Sequence, residues 1–151
     1  MNPKIFTAVE ANQTLPLVAT IARSAMQTWK QLESAKRELR KTSARRPRVE
    51  VDAKSGTTKI AVAGDTRIKN DIRELERELE ETRAELEELG CYLRDAEKGL
   101  VDFPGFVGTE LVYFCWVPNE PSVTHYHGMR EGFTGRKPIP PEGQAISHLR
   151  S

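Results

Sequence analysis

An α+β protein is the fold class this sequence predicts: a long antiparallel, coiled-coil-like helical hairpin with a small C-terminal β-hairpin. Three observations predict it. Charged residues make up 30% of the 151 positions and aromatics 7%, a balance that favours solvent-rich helices over a compact all-β core. Two long segments carry apolar residues at steps that alternate between four and three. The run from Glu110 to His127, in contrast, is rich in Val, Tyr, Phe and Trp, the residues that fit a pleated surface. A chain of this length holds one domain with a real core, expected over residues 1–136.

The first helical segment is expected over about residues 8–42. Thr7-Ala-Val-Glu10 has the form of a capping box, in which the Thr hydroxyl accepts from the Glu amide and the Glu carboxylate accepts from the Thr amide. Phe6 and Ala11 sit where a hydrophobic staple forms. Pro16 has no N–H to give a helix interior, so Thr14 is expected to cap a second, longer helix with Pro16 in its first turn. From there Val18, Ala22, Ala25, Trp29, Leu32 and Leu39 form one stripe.

The second segment, expected over about residues 66–98, is cleaner. Ile68, Ile72, Leu75, Leu79, Thr82 and Leu86 lead the series, and Leu89, Leu93, Ala96 and Leu100 continue it. Three or more such heptads with charged flanks are a coiled-coil signature. Each helix would run roughly 40–50 Å at 1.5 Å per residue. One such pair buries little surface, so a homodimer closing a four-helix bundle is expected. Gly90 inside the stripe costs about 1 kcal/mol relative to Ala and marks a kink or a close helix contact. Gly99 is the expected helix stop.

Residues 43–65 read as an insertion at the tip of the helices. Arg-Val-Glu-Val-Asp and Thr-Lys-Ile-Ala-Val alternate as strands, and Lys54-Ser55-Gly56 supplies their turn, so a small mobile β-hairpin is expected there. Val101 to Gly105 reads as a turn. The C-terminal β-hairpin is expected over about residues 110–127, with a two-residue loop at Asn119-Glu120. That loop pairs Trp116 with Val123 and Phe114 with His125. It places His125 and His127 on one face with Phe114 and Trp116, and Cys115 on the other with Tyr113 and Tyr126. A one-residue change in loop length reverses the assignment. Residues 137–151, opening Lys-Pro-Ile-Pro-Pro, read as an extended tail.

Charge and cysteine usage narrow the function. The net charge of +1 gives no bulk attraction to nucleic acid or membrane. The basic run from Lys36 to Arg48 lacks the interleaved aromatics that stack bases. No stretch reaches the length of a membrane span, and the N-terminus lacks the pattern of a secretory leader. Two cysteines, Cys91 and Cys115, are too few for a disulfide framework, so free thiols in a reducing, cytoplasmic compartment are expected.

The chemically capable residues gather between Asp95 and Arg136. Phe6-Thr7, Glu10-Ala11-Asn12 and Leu15-Pro16 near the start, with Gly99 to Pro104, Cys115-Trp116, Glu120-Pro121, His127 and Glu131-Gly-Phe-x-Gly-Arg136 near the end, resemble the signatures of the bacterial domain-of-unknown-function family 2203 (DUF2203). The family motif tends to read Trp-His where this chain has Tyr126-His127, and the segment from Arg45 to Asp65 looks like an insertion. The resemblance implies no activity. It does imply that Asp95, Asp102, Cys115, Trp116, Glu120, His127 and Arg136 belong together.

Four readings of this cluster stay open on sequence alone. His125 and His127, with Cys115 and with Glu120 or Asp102, have the residue types of a divalent-metal site such as zinc. A small anionic ligand would suit a pocket of Asp95, Asp102, Trp116, Glu120, His127, Phe133 and Arg136, with the guanidinium as anion receptor. Against it stands a purely structural role, in which Arg136 pairs with Asp95 or Asp102. His127 beside Glu120, Glu131 or Asp102 has the parts of a general base, and Cys115 beside a histidine those of a nucleophile. No Ser-His-Asp, P-loop or dinucleotide motif supports catalysis. The remaining reading is a non-catalytic scaffold that recruits a protein partner through its helices.

Overall fold

The computed structural model describes residues 4–43, 48–61 and 65–141. The architecture is α+β: two helices that fit a helical hairpin, a two-stranded sheet between them, and a five-stranded antiparallel sheet after them. The described chain falls into two compact units. One is residues 27–80, and the other combines residues 1–26 with 81–151.

Helix α1 runs unbroken over Ala8–Ser43. Its start is the expected capping box: the Glu10 amide donates to Thr7 Oγ1 at 3.0 Å and the Thr7 amide to Glu10 Oε1 at 3.1 Å. Phe6 and Ala11 are both buried. The expected break at Thr14 does not occur, and Pro16 lies inside the helix. Thr14 donates its hydroxyl to the Glu10 carbonyl instead of capping, and Thr20 does the same to the Pro16 carbonyl. Pro16 is exposed, so its ring and the bond it removes face water rather than the core.

In the unit of residues 27–80, strands β1 (Arg48–Val51) and β2 (Thr58–Ala61) pair antiparallel as the sequence suggests. Asp52 Oδ1 accepts from the Lys54 amide, and Gly56 takes a φ of +71° at the turn. The parts of the insertion at residues 44–47 and 62–64 lie outside the described residues.

Helix α2 covers Asp65–Glu88 and stops ten residues before the expected helix end at residue 98. The stop is a Schellman motif. The Cys91 amide donates to the Leu86 carbonyl and the Gly90 amide to the Glu87 carbonyl, with Gly90 at a φ of +97°. Gly90 is therefore a terminator, where the stripe suggests a kink within a helix. Its missing side chain also makes room, since a Cβ there would stand 2.7 Å from Lys4 Cβ.

Beyond that stop the helical spacing is coincidental. Tyr92–Asp95 forms β3, and Leu100–Val107 forms β4 where a turn is expected around Phe103. Glu110–Trp116 forms β5, His125–Gly128 forms β6, and Lys137–Pro138, at the start of the expected tail, forms β7. The order is β3-β4-β5-β6-β7. Residues 142–151 lie outside the described residues.

The register between β5 and β6 differs from expectation by one residue: Phe114 pairs with Tyr126, Cys115 with His125 and Tyr113 with His127. The connection is longer than two residues because Glu120 folds back on Trp116. The Trp116 indole donates to the Glu120 carbonyl, and the Val117 amide to Glu120 Oε1. The slip reverses the faces, as a period of two requires. His125 and His127 share a face with Cys115 and Tyr113. Phe114 and Trp116 occupy the other.

That other face makes the core. Val101, Phe103, Phe114, Trp116 and Leu93 are buried there, and so are Ala11, Leu15, Val18 and Ala22 of α1. Phe6 meets the Phe103 ring edge-on at 5.2 Å and donates its amide to the Pro104 carbonyl. Asn12 clamps the chain before β6: its amide nitrogen donates to the Val123 carbonyl, and its Oδ1 accepts from the Val123 amide at 2.7 Å. Each large buried side chain contributes roughly 1.5–3 kcal/mol.

Candidate metal site and pocket

With the apolar face of the sheet turned to α1, its opposite face is free to carry polar chemistry. Register alone decides which residues meet there. Asp102 lies opposite Cys115, Cys115 opposite His125, and Tyr92 opposite Asp102, while His127 sits one pleat along β6 beside Tyr113. Asp102, Cys115 and His127 are each buried, at 2%, 0% and 4% exposure, a depth at which polar groups need partners.

His127 bridges two acceptors. Its Nδ1 stands 2.8 Å from the Gly128 carbonyl oxygen, which can only accept, so Nδ1 carries a hydrogen. Its Nε2 stands 3.0 and 3.1 Å from the two carboxylate oxygens of Asp102. Asp102 and Nε2 thus share one proton between them. Cys115 completes the group: one ligand atom from each of Asp102, Cys115 and His127 lies within 4.8 Å of the others. Burial, and next the Asp102 carboxylate, push the Cys115 thiol up to about 12. At neutral pH it is a thiol, not a thiolate nucleophile. Both nitrogens of His127 are thus engaged with protein acceptors, while the residue lines the pocket described next.

Around this trio lies a pocket of about 420 Å³ whose lining includes Arg94, Asp95, Asp102, Tyr113, His127 and Phe133. Arg94 donates its Nε to Asp102 Oδ2 at 3.2 Å. Its guanidinium also lies against two rings, 4.9 Å from Tyr92 and 4.8 Å from Tyr113. The Tyr113 ring in turn packs 5.6 Å from the His127 ring. Glu131 lines the mouth of the same pocket. A Cβ on Gly128 would stand 2.7 Å from Glu131 Oε1, and one on Gly135 2.3 Å from Oε2, so this carboxylate lies close against both glycines.

The expected site residues therefore separate into two groups. Asp95, Asp102, His127 and Phe133 line one pocket, with Cys115 beneath. Asp95 Oδ1 also accepts the Lys98 amide. Trp116 is on the opposite face, and Glu120 is engaged elsewhere. Arg136 pairs with Glu120, at 2.7 and 2.8 Å to its two oxygens, rather than with Asp95 or Asp102. The same Arg136 nitrogen donates to the Cys115 carbonyl, and its guanidinium lies 4.7 Å from the Phe133 ring. Both partners of this ion pair are largely buried, so it pins the segment after β6 onto the β5–β6 connection. His125 contacts Thr124 and lies 3.9 Å from Glu120, outside the trio.

Arg94 and Tyr113 were not singled out by the sequence. Arg94 sits in what reads as a charged helix face, and only the early stop of α2 turns it into a strand residue. Tyr113 was expected on the Cys115 face, and the register slip brings His127 beside it.

The chain belongs to the DUF2203 family of uncharacterised conserved proteins, whose family model matches residues 4–139. No curated protein and no solved structure matches it.

Proposed function

We propose that this DUF2203 protein binds a divalent transition-metal ion, zinc by chemical preference, through Asp102, Cys115 and His127. The observation that carries the reading is the convergence of one carboxylate oxygen, one sulfur and one imidazole nitrogen, all buried, within 4.8 Å. Thiolate, imidazole and carboxylate together are a donor set that suits zinc. Two ligands about 2.0–2.1 Å from a tetrahedral ion stand roughly 3.3 Å apart, and the His127–Asp102 separation of 3.0 Å is close to that. The Nδ1–H bond to Gly128 orients the ring with Nε2 toward the ion, the usual arrangement of a ligating histidine. A doubly charged ion with one carboxylate and one thiolate sums to zero, which suits a buried centre. Binding replaces the proton shared by His127 and Asp102 and expels that of Cys115.

Three protein ligands leave a position for water or a ligand, the pattern of an open metal site. Asp102 and His127 both line the pocket, so that position belongs on its side. Metal analysis with native mass spectrometry tests the reading: one zinc per chain in the wild type, and none in Cys115→Ser combined with His127→Gln, is the expected result. Wild-type protein that takes up no metal from zinc-supplemented buffer overturns it.

A second reading, self-association through the helices, has its own support. Ile68, Ile72, Leu75 and Leu79 stay only half-buried in the single chain. A homodimer would cover them.

A further inference from the structure

We propose that the pocket beside Asp102 and His127 receives a small molecule by its oxyanion group, a carboxylate or a phosphate, and that Arg94 is the receptor for that group. The inference uses the pocket of the proposed metal site but does not rest on the ion.

Arginine offers five N–H donors in a planar fork. In Arg94 one is used, by Nε toward Asp102 Oδ2 at 3.2 Å. Its Nη groups have no protein acceptor among the described residues, and the side chain, 42% exposed, lines a pocket open to solvent from which an incoming anion can reach them. The plane of the fork is nonetheless held in place. Tyr92 and Tyr113 lie against it at 4.9 and 4.8 Å, and those two rings meet edge-on at 6.3 Å. A guanidinium fixed by two rings and one carboxylate, with its terminal donors free, is preorganised for a bidentate oxyanion.

The rest of the lining indicates what else the molecule carries. Leu100, Met129 and Phe133 give apolar wall. Lys98 and Arg136 lie against the Phe133 ring, at 5.6 and 4.7 Å, and add positive potential near it. Asp95 and Glu131 lie in the same lining and disfavour a second negative charge there. A monoanion with an amine at its far end therefore ranks above a dianion. The pocket, about 420 Å³, is at the small end of ligand sites and fits a metabolite-sized molecule rather than a polymer.

Isothermal titration of the full chain tests the proposal, with inorganic phosphate, glutarate and 4-aminobutanoate as probes, each against EDTA-treated and zinc-supplemented protein. The expected result is binding of at least one probe to the EDTA-treated wild type. Affinity should fall about tenfold or more in Arg94→Gln, the loss expected for a charge-assisted bidentate pair. Arg94→Lys, which keeps the charge and loses the fork, should fall in between and serves alone if Arg94→Gln does not fold. Preference for phosphate or for 4-aminobutanoate assigns the class of oxyanion. No binding of any probe overturns the proposal, and so does binding unchanged in both variants. Binding that requires zinc and ignores Arg94 assigns the anion to the metal and overturns it equally. Failure of the protein to take up zinc leaves this result untouched.

Discussion

Arg136 illustrates how one residue's partner decides between structural and functional roles. Sequence alone leaves it as an anion receptor or as half of an ion pair with Asp95 or Asp102. The bond to Glu120 gives it a third assignment, since the pair is largely buried and also ties down the Cys115 carbonyl. Removing one member of such a pair strands the other's charge, so Arg136→Ala should cost about 3–5 kcal/mol. Urea unfolding measures this, and a loss below about 1 kcal/mol would match an exposed pair instead. Cys91 supplies a pH prediction. Burial pushes its thiol from 9.0 up to about 12. The folded pKa is raised, so the contribution to stability is complete below pH 9 and is lost as pH rises toward 12. Stability should fall over that window, and Cys91→Val should flatten part of the slope. An identical alkaline slope in the variant would contradict this. The rare residues of the site were legible as residues: Asp102, Cys115 and His127 drew notice for their chemistry. Arg94 was not, because a lone arginine in a charged, helix-spaced run carries no signal until the strand is known.

Among the elements, the beginning of α1 was the most readable, because Thr7 and Glu10 satisfy each other's amides within one turn. The end of α2 was not. Leu93, Ala96 and Leu100 continue the four-three spacing by coincidence, and the local terminator at Gly90 outweighs it. Gly90→Ala should therefore destabilise the protein by about 1–2 kcal/mol for the left-handed backbone alone. The approach of Lys4 adds to this cost. A wild-type urea midpoint in that variant would show that the turn relaxes freely. The β5–β6 register was out of reach for another reason: it depends on Glu120 bonding back to Val117 and Arg136, a contact set by tertiary structure. The apolar stripe of α2 divides in the same way. Leu86 is fully buried, so a charge there tests folding, whereas Leu75 and Leu79 are half-buried and test assembly. Sedimentation should show a wild-type dimer and a folded monomer for Leu75→Asp with Leu79→Asp. A monomeric wild type would sink the dimer.

At the scale of the whole molecule, the fold class was legible because helix and strand periodicities occupy separate parts of the chain. The extra strands β3, β4 and β7 were not, since two of them lie in stretches that imitate a helix or a turn and the third holds only Lys137–Pro138. Those strands matter for the proposed site. β4 brings Asp102 across from Cys115, and β3 brings Arg94 to the same face. A hairpin of β5 and β6 alone would hold His127 and Cys115 without their carboxylate. The sheet thus spends one face on the core and gathers its buried polar side chains on the other. The central claim is that this second face holds a metal ion, and the absorption spectrum of the cobalt-substituted protein tests it most directly. The account predicts a thiolate-to-cobalt charge-transfer band in the near ultraviolet, with visible bands of a four-coordinate ion, saturating at one cobalt per chain and absent in Cys115→Ser. A spectrum of cobalt in water at every ratio, or a charge-transfer band that survives the loss of Cys115, would contradict it.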